Sequence, residues 1–310
     1  MAIPAALREN LRLPVIAAPM FLVSGPQLVI ETCKAGIIGT FPALNQRSTE
    51  GFEEWVDEIE AARRDHGGCA AYGVNLIVHK TNPRLEADLA VVARRRVPLV
   101  ITSLGAVPDL VKEVHGYGGQ VFHDVISVRH ARKAAEAGVD GLILVCAGAG
   151  GHAGTASPFA LIDEVRRFFD GTIILAGAMG SGRQVAAARM LGADFAYMGT
   201  RFIATRESLA PQPYKEMLTG STLADIVYTD SVSGVNANFL RASLVTAGLD
   251  PENLPPKAHM DMAAEARAWR DIWSAGHGVG GIADTPTVAE LAARLRDEYD
   301  SAWRSASAEF

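Results

Sequence analysis

A closed parallel α/β barrel, with eight strands each followed by a helix, is the fold class this sequence predicts. Short apolar, β-branched runs recur at residues 14–20, 36–41, 70–76, 98–103, 120–125, 141–146, 172–177 and 195–200. None alternates polar with apolar, so each reads as a strand buried on both faces, as a parallel sheet requires. The segments between them, such as VRHARKAAEAG and GRQVAAARMLGAD, carry apolar residues at helical spacing. Eight is also the strand number at which side chains just fill a closed barrel.

Taken in order, PVIAAPM opens the barrel, and the helices after the first, fifth and seventh strands end on Gly36, Gly138 and Gly192. Glycine is the residue a helix C-terminus prefers. The sixth strand, GLILVC, runs into AGAGGHAGT (147–155), a glycine-rich bend holding one imidazole, His152. The seventh and eighth strands open on glycine-bearing turns, LAGAMGSG (175–182) and YMGTRF (197–202). After Arg206 the alternation stops. The expected organisation is a barrel at 1–206, a small, mainly helical lid lobe inserted after strand eight at 207–285, and a C-terminal helix at 286–310 that packs back on the barrel.

With 49% hydrophobic and 21% charged residues, the composition is that of an ordinary globular protein. A formal charge of −6 argues against nucleic acid as a partner. No apolar run approaches the roughly 18 residues that span a bilayer. The N-terminus lacks a signal peptide's apolar region, so a cytoplasmic location and no membrane partner are expected. Cys33, Cys69 and Cys146 are too widely spaced for a disulfide framework and read as buried thiols, Cys146 pointing into the barrel.

Gly148, Gly150 and Ala153 match a G-x-G-x-x-A dinucleotide pattern, but the next strand, TIILAG, ends without the acid that would hold a ribose. In a βα-barrel, phosphate instead binds the loops after strands seven and eight. Glycines there let backbone N–H groups approach an anion. His152 suits acid–base work, since an imidazole exchanges a proton near neutral pH. His79, His123 and His277 fall where they could line a pocket, and the remaining four histidines, His130 among them, read as solvated. Ser233, Asn236 and Asn238 of the lid could reach a substrate. No metal-ligand spacing occurs, so no metal site is expected.

In these stretches, together with GVNL (73–76) and WSAGHGVGGI (273–282), the sequence resembles the 2-nitropropane dioxygenase-like flavoproteins. That family includes nitronate monooxygenases, related NADH:quinone reductases and flavin-dependent enoyl-ACP reductases. The resemblance implies a TIM (β/α)8 barrel that binds FMN. It would set Ala18, Pro19 and Met20 against the flavin ring and give Asn75 a hydrogen bond to the ring's polar edge. Gly150 and Gly151 would allow close approach of the ring. Gly177, Ala178, Gly199 and Thr200 would hold the phosphate, and His152 would be the catalytic base. Two positions depart from the family pattern. Ala178 replaces a glycine, which suits an N–H contact if φ is negative there. Asp124 stands after strand five, where some relatives carry a basic residue. The implied activity is oxidation of alkyl nitronates or nitroalkanes with O2. The alternatives are an NAD(P)H-dependent reductase of quinones or enoyl thioesters, and a non-redox phosphate-binding barrel. The partners implied are a small-molecule substrate and O2, and a homodimer is compatible with the chain.

Overall fold

The computed structural model describes residues 3–308 except 80, 106–107 and 257–268. Eight parallel strands close into a barrel: β1 (Val15–Ala17), β2 (Ile38–Pro42), β3 (Tyr72–Ile77), β4 (Leu99–Ser103), β5 (Gln120–Val125), β6 (Gly141–Val145), β8 (Thr172–Ala176) and β9 (Phe195–Met198). Each overlaps its predicted run. Ile16 of β1 pairs with Ile38 on one side and with Tyr197 on the other, which completes the ring.

Strand residues alternate between two cores, as their period of two dictates. Ile16, Ile38, Ile101, Phe122 and Ile174 fill the barrel interior, and Leu7 of the N-terminal helix Ala5–Arg8 joins them as a plug. Their neighbours Val15, Val74, Val100, Val121 and Leu175 face the surrounding helices. Each such side chain, fully withdrawn from water, contributes about 1.5–3 kcal/mol. The helix ends follow local chemistry. Ser48 accepts the Gly51 N–H at 3.1 Å to start Thr49–His66. Gly36, Gly138 and Gly192 take the positive φ values of 78°, 85° and 100° that terminate helices.

The lid carries helices Gln212–Thr219 and Arg241–Thr246 and, between them, an antiparallel hairpin of β10 (Ile226–Thr229) and β11 (Ala237–Leu240). The polar stretch YTDSVSGVNANFL thus becomes strand, turn and strand inside a lobe expected to be mainly helical. Gly234, at φ 76°, makes the turn, a conformation that costs a residue without Cβ almost nothing. The C-terminal helix Val288–Ala308 packs against the helices Gly182–Met190 and Pro26–Lys34. No helix among the described residues is long and apolar enough to cross a membrane.

Candidate active site

The loop after β6 is less free than its glycine content suggests. Gly151–His152 form a short strand, β7, antiparallel to β11, with His152 opposite Ala237 and Gly151 opposite Asn238. The buried Asn238 donates its amide to the Ala149 carbonyl at 2.7 Å, and Ala153 N–H donates to the Asn236 carbonyl at 3.2 Å. The half-buried imidazole of His152 meets Trp269 edge-on, with ring centroids 5.5 Å apart, and Trp269 stacks on Phe239. The lid, not the barrel, orients the histidine.

Gly151 needs its freedom because φ is 70° there. Gly150 needs its bareness for packing within the protein: a Cβ would lie 2.8 Å from the backbone nitrogen of Gly276. That glycine lets loop 147–155 press against Ala275–Gly276. The segments at Gly148, Ala178, Thr200 and Gly276 are tied together. The Gly148 carbonyl accepts N–H groups from Ala178 at 3.1 Å and His277 at 2.9 Å, and the Thr200 hydroxyl accepts the Gly276 N–H at 2.9 Å.

These segments wall a cavity of about 1370 Å3 at the C-terminal ends of the strands, where barrels of this kind place their ligands. Every cofactor residue implied by the resemblance borders it: Ala18, Pro19 and Met20 after β1, Asn75 on β3, the pairs Gly150–Gly151 and Gly177–Ala178, and Gly199–Thr200. His152 and Asn236 border it too. The loop after β1 is clamped by Asn45, whose amide donates to the carbonyls of Met20 and Ser24 and whose oxygen accepts the Leu22 N–H.

Several positions differ from expectation. Ala178 has φ 53°, not a negative value, and its N–H is given to Gly148, so in this conformation it is not offered to an anion. His123 lies on the outer face of β5, its Nδ1 2.7 Å from the Thr102 hydroxyl. Burial pushes its pKa down to about 4. It borders the cavity, as do His130 and Lys133, neither of which the sequence marked as a site residue. Ser233 is buried, donates to the Val235 carbonyl at 2.9 Å and does not line the cavity; Asn238, also buried, gives its amide to Ala149 and does not line it either. Cys146 joins the core between strands and helices, since Val145 takes the inward position, and burial raises its thiol to about 12. His277 packs on Gly148 and borders a separate cavity of about 270 Å3. His79 lines neither cavity, but it bonds to Thr81, which borders the large one.

The cavity floor joins Asn75 and Asp124, both marked in the sequence, to Ser103 and Tyr197, which the sequence reading missed. The Asn75 amide donates to the Ser103 hydroxyl at 2.8 Å, which donates in turn to Asp124 Oδ2 at 2.5 Å. Across the axis, β9 contributes Tyr197. The other Asp124 oxygen, Oδ1, and the Tyr197 hydroxyl are shut off from solvent and have no hydrogen-bond partner among the described residues. Burial lifts the Asp124 carboxyl to about 6, opposed by the Ser103 hydrogen bond and by the nearby His152. Burial first and the Asp124 charge second raise the Tyr197 phenol well above its ordinary value. A signal existed: Asn75, Ser103, Asp124 and Tyr197 are the last inward-facing polar residues of their strands.

Comparison with known proteins gives the site its context. The nitronate monooxygenase family model matches residues 52–298. A nitronate monooxygenase from Paraburkholderia phytofirmans is 24% identical, with 92% of each chain covered. An octahydroindene-carboxyl-CoA dehydrogenase from Rhodococcus jostii is 28% identical over 76% of this chain, but the match spans only 64% of that relative's length. Among solved structures, FabK from Thermotoga maritima superposes with a TM-score of 0.82 at 24% identity, covering 98% of this chain and 97% of that one. A nitroalkane oxidase from Streptomyces ansochromogenes superposes with a TM-score of 0.80 at 24% identity, covering 97% and 99%. At that identity the two structures speak for the fold alone. With the family model matched across most of its length, the chain belongs to the nitronate monooxygenase family of oxidoreductases.

Proposed function

We propose that this protein is an FMN-dependent oxidoreductase that oxidises nitroalkanes or alkyl nitronates with O2, His152 acting as the base. One observation carries the reading: a lid strand holds an imidazole over a glycine-walled cavity whose floor offers buried, unsatisfied oxygens. FMN fits those residues. The cavity exceeds the roughly 300–1,000 Å3 of ordinary ligand pockets, and orphaned polar atoms at its floor call for a polar ligand edge. Asn75 and the β1 loop would hold the ring. Gly177, Gly199 and the Thr200 hydroxyl, which still has its proton to donate, would hold the phosphate. When bound, FMN would accept the electrons of a carbanion and pass them to O2.

His152 would take the proton from the carbon beside the nitro group, generating the nitronate. Trp269 fixes the ring plane and Ala237 the backbone, so the base is oriented before substrate arrives. A positioned base contributes on the order of 10²–10⁴-fold. His152→Asn should therefore lower turnover of neutral nitroalkanes by about 10²-fold or more. Pre-formed nitronates, which need no deprotonation, should be affected much less, with FMN content unchanged. Steady-state kinetics on both substrate forms checks this. Equal, small losses would reduce His152 to a shaping role.

The cavity's size and the basic Arg47, Arg84 and Lys133 on its border favour a second reading, an NAD(P)H-dependent reductase of a quinone or enoyl thioester. Anaerobic mixing with NADH separates the two. Rapid bleaching of the flavin favours the reductase, and bleaching only by a nitronate favours the oxidase.

A further inference from the structure

We propose that Asp124 couples flavin reduction to proton uptake: its carboxyl takes up one proton when the flavin beside it is reduced and releases that proton on reoxidation. The proposal rests on the FMN reading above and concerns a residue to which the base mechanism gives no task. The geometry is that of a held, half-satisfied acid. Oδ2 is fastened by Ser103, itself fastened by Asn75, so the carboxyl cannot swing away. Oδ1 is enclosed, without a hydrogen-bond partner, at the floor of the cavity that would receive the ring.

The groups facing Asp124 are few. Among the described residues, Ser103 from β4 donates to it, His152 from the β6–β8 loop and Tyr197 from β9 interact with its charge, and Asn75 from β3 and Val145 from β6 border the same cavity. Tyr197 stays neutral because its phenol is shifted upward. Among the described residues, no Lys or Arg is paired with the carboxylate. A buried negative charge therefore stands next to a ring that becomes more negative on accepting two electrons. At short range in a low-dielectric site, two like charges disfavour each other strongly. Protonating Asp124 removes the conflict, and its lifted pKa places that proton within reach near neutrality. The balance is two electrons from the reductant to the flavin, the flavin's own proton or protons from solvent, and one further proton from solvent to Asp124 Oδ1.

The test is the flavin midpoint potential of the FMN-loaded protein, measured by slow reduction with xanthine and xanthine oxidase against a reference dye from about pH 5 to about pH 8. In a two-electron couple each proton taken up contributes about 30 mV per pH unit. Above about pH 6 the wild type should fall more steeply than Asp124→Asn, by up to about 30 mV per pH unit. The two should converge at the acid end, and the variant's potential should be the higher at pH 8. Parallel lines over the whole range overturn the inference while leaving FMN binding intact. Should Asp124→Asn fold poorly, reduced-minus-oxidised infrared spectra of the wild type decide instead. A protonated-carboxyl band that appears on reduction, and shifts in Ser103→Ala, supports the proposal; no such band defeats it. A protein that takes up no flavin overturns the functional reading and this inference together.

Discussion

Ala178 stands where the family pattern has glycine, and its φ of 53° is in the left-handed region. A residue with a Cβ loses about 1–2 kcal/mol there, while glycine loses roughly 0.4–1 kcal/mol through its freer unfolded chain. Ala178→Gly should therefore stabilise the protein by up to about 1 kcal/mol, seen as a higher denaturation midpoint. A destabilised variant would mean that the methyl group's packing outweighs the strain. Leu22 and Leu104 share this conformation, at φ 60° and 65°, and all three border the cavity. Backbone strain gathers where ligands bind. The sequence could mark Ala178 as an odd residue in a glycine position, but the sign of φ depends on how Gly148 and Gly278 press on that turn. His123 and Asp124 show the same limit. The pair was visible as FHDV, yet only the register of β5 turns the histidine toward the helices and the acid into the barrel.

The element that matters most for the site, β7, has two residues and no period of its own. Nothing local distinguishes it from a flexible glycine loop, because its partner β11 lies far downstream in the lid. The Asn238–Ala149 hydrogen bond is one side-chain link between the lid and this loop, and the Tyr228 hydroxyl donates to the Ala153 carbonyl as another. Asn238→Ala removes a donor from a buried carbonyl, a loss of about 1–3 kcal/mol. Amide hydrogen exchange should then quicken over residues 148–153 and stay unchanged in β4 and β5. Unchanged protection of the loop would show that the strand pairing and the bonds to Ala153 hold it without Asn238. The eight barrel strands, by contrast, were legible because burial on both faces demands unbroken apolar runs.

At the level of the whole chain, barrel closure and the docking of the last helix are one packing problem. Gly182 begins a helix that touches Val288–Ala308 so closely that a Cβ would overlap the Leu295 carbonyl, and its N–H is taken by Glu298 at 2.7 Å. Gly182→Ala should push that helix outward and lower stability by about 1–3 kcal/mol, measurable by denaturant unfolding. A neutral result would mean the C-terminal helix adjusts freely on its neighbours. The strand count, the parallel fold class and the helix stops at glycine all follow from local composition and spacing. Those properties rest on side-chain volume, backbone freedom and hydrophobic period, which a short window of sequence contains. The anchoring of His152 by the lid, the outward turn of His123, the positive φ at Ala178 and the Asn75–Ser103–Asp124 chain arise only when distant segments meet. Hydrogen bonds and close contacts between residues far apart in sequence carry no periodic trace, so folding in three dimensions had to bring them together.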